Sequence, residues 1–150
     1  MNRIVVLDTG PLSLVTNPRA SAKTLRCNQW MQGLLRAGVD VAIPEIADYE
    51  LRRELLRADK KKGVVRLDQL KAAILYLPIT TGAMLKAAEF WANARKQGIQ
   101  TADDKALDGD VILAAQAALL QNENSTVVVA TTNVKHLSLF INAELWDQIH

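Results

Sequence analysis

With 150 residues the chain can bury the core of one domain and is too short for two comfortable ones. Apolar residues make up 49% and charged residues 23%, which excludes a disordered tail or a fibre. The near balance of 18 basic and 16 acidic residues excludes a strongly basic nucleic-acid coat, and the single cysteine, Cys27, excludes a disulfide framework or a cysteine-rich zinc site.

The run Ile4–Leu7 is apolar on both faces and ends at Asp8, which predicts a buried strand of a parallel sheet, broken by Thr9-Gly10-Pro11. Pro18 and Ser21 introduce a helix in which Cys27, Trp30, Met31, Leu34 and Leu35 recur at three- and four-residue spacings until Gly38. A second strand is expected over Val39–Ile43, stopped by Pro44, and a second helix over Glu45–Ala58. The charged turn Lys60-Lys61-Lys62-Gly63 comes next, then a short helix over Asp68–Tyr76 and a short strand Leu77-Pro78-Ile79. Thr81–Lys96 reads as a helix with Met84, Ala87, Ala88 and Trp91 on one side and Gly98 as its stop. Asp110 is expected to open a central helix over Val111–Leu120, apolar nearly all round. Val127–Ala130 predicts another buried strand ending at Thr131, and an edge strand near Ala143–Trp146 closes the chain.

Strands alternating with helices imply a parallel sheet covered by helices on both faces, in one α/β domain over residues 1–150. No apolar run approaches about 20 residues, so no membrane span is expected. The first residues lack the leader of a signal peptide, and a cytoplasmic location is expected by default.

Ligands of such sheets bind beyond the carboxyl ends of the strands. Four polar segments fall on that rim: Asp8; then Glu45, Asp48 and Glu50; then Asp103, Asp104, Asp108 and Asp110; and finally Thr131, Thr132 and Asn133. Alone, Glu50 reads as a solvated helix residue and Asp110 as a helix cap. Asp8 has little local reason to end a buried strand, which favours a functional role. Carboxylates crowded on one edge repel one another and are stable mainly when a cation neutralises them. All-oxygen ligation suits Mg²⁺ or Mn²⁺, ions that assist attack on phosphodiesters.

The segments resemble the ordered motifs of PIN-domain nucleases. Val6-Leu7-Asp8-Thr9-Gly10-Pro11-Leu12 is similar to the opening motif, Ile43 to Leu51 to the second, Asp108 to Ala115 to the third, and Ala130 to Leu137 to the fourth. The resemblance implies a three-layer α/β/α fold and Mg²⁺- or Mn²⁺-dependent cleavage of RNA. It maps the metal ligands onto Asp8, Glu50 and Asp110, and makes Glu45 and Asp48 secondary. Thr131 and Asn133 are the candidate neutral members of the site, with Asn133 standing where a carboxylate is usual, and Asp108 is a candidate accessory ligand. Many bacterial members are VapC-type toxins inhibited by a small antitoxin and often dimeric, so an antitoxin partner and a homodimer are expected.

Outside the motifs, Glu54 lies one turn beyond Glu50, where an ion pair with Arg57 or Arg53 competes with a ligand role. Arg52, Arg53, Arg57, Lys60, Lys61, Lys62 and Arg66 form a basic stretch that reads as a solvated helix face or as a rim contacting RNA phosphates. Asp103 and Asp104 read as loop or cap residues. Cys27 reads as core, Trp30 and Trp91 as core or dimer-interface residues, and His136 as a surface group. Two other functions stand beside the ribonuclease. A degenerate PIN-type module would bind RNA or protein without cleaving. A phosphatase using Asp8 as nucleophile is disfavoured because Gly10 occupies the place of its usual second Asp.

Overall fold

The apolar run after the first residues forms β1 (Asn2–Leu7), whose Val5 and Leu7 point to one side and Ile4 and Val6 to the other, all buried. The computed structural model describes the backbone of residues 2–98 and 104–150, and side chains over 2–98 and 107–150. Parallel neighbours β2 (Asp40–Pro44) and β4 (Ser125–Thr131) flank β1, and β3 (Leu75–Leu77) and β5 (Ala143–Leu145) form the edges, in the order β3-β2-β1-β4-β5. This is the expected three-layer α/β/α arrangement. On one face, β-strand residues pack with α1 (Thr9–Thr16), α2 (Ala22–Arg36), α3 (Glu45–Arg57) and α4 (Lys61–Ala73) around Leu12, Met31, Leu51 and Leu67. On the other face lie α6 (Asp104–Ala118) and the short α7 (Val134–Leu137), with α5 (Thr81–Lys96) packed outside α6.

Three expectations are corrected. First, Thr9-Gly10-Pro11 ends the strand as expected but also begins a helix that was not expected, α1, because proline is tolerated in a first helical turn, where its missing N–H has no partner anyway. Asp8 therefore has a local role after all: its side chain accepts from Thr9 N and caps α1. Second, α6 opens before Asp110, which lies in its second turn; the apolar stripe Leu107, Val111 and Ala115 at four-residue spacing packs this early turn against Ala87 of α5. Asp103 lies outside the described residues, as does the side chain of Asp104.

Third, the lysine turn is shorter than expected. Asp59, at φ 55°, ends α3, with Asp59 N donating to Leu56 O and Lys60 N to Leu55 O. Helix α4 then starts at Lys61 and ends at Ala73, rather than running from Asp68 to Tyr76. Gly63 sits inside its first turn because a Cβ there would lie 2.9 Å from Leu55 Cδ2, so the glycine serves close helix contact. The third strand accordingly covers Leu75–Leu77, paired with Ala42–Pro44, and stops at Pro78, which has no N–H for the ladder. The left-handed stops at Gly38 (φ 81°) and Gly98 (φ 64°) are as expected.

Candidate active site

Strand order reverses about β1, with β2 on one side and β4 on the other, so the crevice at their carboxyl ends is the natural place for a site. Asp8 leaves the end of β1 and Thr131 closes β4. Thr131 is fully buried, and its hydroxyl donates to Asp8 Oδ2 at 2.8 Å while accepting from Asn133 N at 3.0 Å. Thr9 N donates to Asp8 Oδ1 at 2.8 Å, so both oxygens of this carboxylate are oriented.

Helix α3 brings Glu50 to the same place. Its Oε1 accepts from Thr9 Oγ1 at 3.1 Å, so one threonine holds two carboxylates, Asp8 through its amide and Glu50 through its hydroxyl. From the opposite face α6 offers Gly109 and Asp110. A Cβ at Gly109 would lie 2.9 Å from Glu50 Oε2, so the missing side chain is what admits the Glu50 carboxylate against α6.

The electrostatics follow from this crowding. Burial raises the Asp8 carboxyl above its ordinary value, with the hydrogen bonds from Thr131 and Thr9 pulling the other way. Burial also raises Glu50, opposed by Thr9 and Arg53 and reinforced by the charge of Asp8. Asp110 is pushed up to about 6 by burial and then by Asp8 and Glu50, and among the described residues nothing pulls it back. The three carboxylates thus sense one another through space. Among the described residues no group of three or more His, Cys, Asp or Glu side chains is arranged to hold a metal ion, so Asp8, Glu50 and Asp110 are an open set rather than a formed metal centre. An open carboxylate set suits a cation that keeps several of its own waters, as Mg²⁺ does.

Of the remaining candidates, Asn133 borders this group and the others sit elsewhere. Asn133 is exposed at the start of α7, with its backbone tied to Thr131. Asp108 is exposed and lines a groove between α5 and α6 with Met84 and Trp91. Glu45 accepts from Ile79 N at 2.7 Å, and buried Asp48 pairs with Arg52 at 2.9 Å, so both are occupied structurally. Glu54 pairs with Arg57 at 2.8 Å. Cys27 is buried, as expected of a core thiol, and Trp30 packs edge-on against Trp146 with ring centroids 5.6 Å apart.

Three supporting residues escaped the sequence reading. Thr9 and Gly109 are adjacent to candidate ligands in sequence, which is the signal that could have found them. Gln116 carried no such signal. It is buried in α6, accepts from Ile46 N at 3.2 Å and donates to Leu77 O at 2.7 Å, and so fixes the Asp110 helix to the start of α3 and to β3.

A parallel five-stranded sheet with acidic residues at its central carboxyl edge defines the class of α/β proteins that bind ligands at a strand-order reversal. The PIN domain family model matches residues 5–136, and the chain belongs to that family, whose members are nucleases. Among solved structures it is similar to VapBC2 from Rickettsia felis, bound to a DNA fragment from its promoter (20% identity, 96% of this chain and 99% of that one, TM-score 0.69). It is also similar to FitAcB from Neisseria gonorrhoeae (24%, 97% and 99%, 0.68) and VapBC-1 from nontypeable Haemophilus influenzae (15%, 97% and 99%, 0.65). No curated protein matches the chain in sequence. No helix among the described residues is long and apolar enough to cross a membrane.

Proposed function

We propose that this chain is a Mg²⁺- or Mn²⁺-dependent endoribonuclease and the toxin of a toxin–antitoxin pair. The observation that carries the reading is geometric: Thr9 holds the Asp8 and Glu50 carboxylates at 2.8 and 3.1 Å, and α6 meets the Glu50 carboxylate at Gly109, the residue before Asp110, so three separate elements deliver carboxylates to one edge. Such an arrangement costs folding stability unless a cation offsets it. The donor set fits a hard divalent ion, being all oxygen with no Cys or His beside it.

Asp8, Glu50 and Asp110 would hold the ion, with the Asn133 amide as a neutral contributor at the rim. When bound, the ion supplies Lewis acidity, which ionises an attacking water and offsets charge growing on the phosphate. Thr131 and Thr9 fix the directions in which Asp8 and Glu50 present their free lone pairs. Asp108, facing α5, is outside this set.

The likeness to the VapBC assemblies supports a protein partner, and the motif resemblance to VapC-type toxins implies that this partner is a small inhibitor and that the working state is a homodimer. A second reading, a PIN-type module that binds without cleaving, rests on Asn133 in place of a fourth carboxylate.

Cleavage of single-stranded RNA, followed in Mn²⁺ and in chelator, tests the proposal. Cleavage that needs Mn²⁺ and is lost in Asp8→Asn is expected. Metal-independent cleavage, or cleavage untouched by the substitution, contradicts it, and binding without any cleavage returns the second reading.

A further inference from the structure

A groove of about 870 Å³ runs along the outer side of α1 and α3 to the turn before α4. It begins at Ser13 and Glu54, each one helical turn beyond a residue of the carboxylate site, Thr9 and Glu50. Its far end holds Arg19 from the α1–α2 connection and the triplet Lys60, Lys61 and Lys62. The left-handed turn at Asp59 sets where the triplet sits.

Five cations and two carboxylates line the groove, so it alone carries more positive charge than the entire chain, whose net is +2. One carboxylate, Glu54, is already paired with Arg57. Among the described residues, Arg19, Lys60, Lys61 and Lys62 make no ion pair, whereas Arg52 is committed to Asp48 and Asp68 and Arg53 lies over the Tyr49 ring. The structure thus divides the basic stretch into cations already engaged by other side chains and cations facing one open channel. Leu51 and Leu55 on the channel wall offer no aromatic face for base stacking, which suits contact with a phosphate backbone.

We infer that this groove is the track of the RNA strand on one side of the cleaved bond, with Arg19, Lys60, Lys61 and Lys62 holding its phosphates. The inference rests on the ribonuclease reading and names where that substrate lies. From Glu50 to Arg57 the helix rises about 10 Å, room for about three phosphates of a stacked strand at about 3.4 Å each. Contacts to phosphates without base-edge readout make this flank tolerant of sequence.

The test is binding of a fluorescein-labelled single-stranded RNA to the full chain carrying Asp8→Asn, by anisotropy at 50 and 200 mM salt. Reading binding in this background probes the groove whether or not the cleavage assignment holds. Each phosphate contact contributes a slope of about −0.7 in log affinity against log salt, so Lys60→Gln/Lys61→Gln/Lys62→Gln should flatten it by about 2. Between those salt concentrations the triple variant should therefore lose roughly 20-fold less affinity than its parent. Arg19→Gln, on a different element, should flatten the slope by about 0.7, and Arg36→Gln, exposed at the end of α2, should leave it unchanged. All six residues touched are surface cations or, for Asp8, a separately tested position, and circular dichroism reports folding. An unchanged slope in both the triple variant and Arg19→Gln overturns the inference and leaves the groove to a protein partner.

Discussion

The Thr131 hydroxyl donates to Asp8 Oδ2 at 2.8 Å across the seam between the two central strands. Thr131 is fully buried, so the bond is not open to replacement by bulk water. Thr131→Val keeps the shape and removes the donor. We expect a loss of about 1–3 kcal/mol in urea unfolding. Loss of an orienting partner should weaken Mn²⁺ binding by about 10- to 100-fold. Thr131→Ser should restore most of both.

Gly109 and Glu50 make opposite predictions for stability and function. Alanine is the better helix former by about 0.5–1 kcal/mol, and Glu50 is a side chain that can swing away. Yet a Cβ at Gly109 would stand 2.9 Å from Glu50 Oε2. Gly109→Ala should keep or raise the melting temperature while lowering Mn²⁺ affinity and RNA cleavage by about tenfold or more. A variant that loses stability and keeps activity would refute this placement of Glu50.

Asp110 titrates near 3.8 in an unfolded chain and at about 6 in the fold. Between those values the folded state binds the proton more tightly, so stability falls as pH rises through this window and stays lower above it. A shift of that size corresponds to about 3 kcal/mol for a fully shielded group, and partial solvation reduces it to about 1–2 kcal/mol. Without metal, Asp110→Asn should therefore stabilise the protein at pH 7.5, and the gain should fade below about pH 4. Thermal unfolding across pH in chelator measures it. The same substitution should remove any stabilisation by Mn²⁺.

Gln116 ties α6 to Ile46 N and Leu77 O. Gln116→Leu would leave Ile46 N unpaired in buried and Leu77 O in half-buried surroundings, at a cost of about 1–3 kcal/mol in denaturant unfolding. Because Asp110 rides on the same helix, Mn²⁺ affinity should also drop. Equal stability of the variant would show that water replaces both bonds.

The parts of this molecule legible in sequence are those governed by local pattern. Ile4–Leu7 and Val127–Ala130 carry continuous apolar runs, and the Gly38 and Gly98 stops carry positive φ, so strands and helix ends could be placed. The misplacements arise where tertiary contact overrides a local signal. Gly10 and Gly63 look like breakers, but a Cβ at either would press against Thr132 or Leu55, so they are sites of close packing. Within the site, Asp8 stood out as an acid ending a buried strand. Glu50 was indistinguishable from Glu45 and Asp48 except through motif order, since all three lie on one helix and only the fold shows that Asp48 is paired with Arg52. Thr9 and Gln116 join segments 41 and 70 residues apart, a relation no periodicity encodes.

The central claim is that Asp8, Glu50 and Asp110 act together as one divalent-cation site, and Mn²⁺ binding by calorimetry at pH 7.5 tests it most directly. Saturable binding is predicted for the wild-type chain, weakened at least tenfold by each of Asp8→Asn, Glu50→Gln and Asp110→Asn. Equal affinity in the wild type and all three variants, or no binding by the wild type, would contradict it.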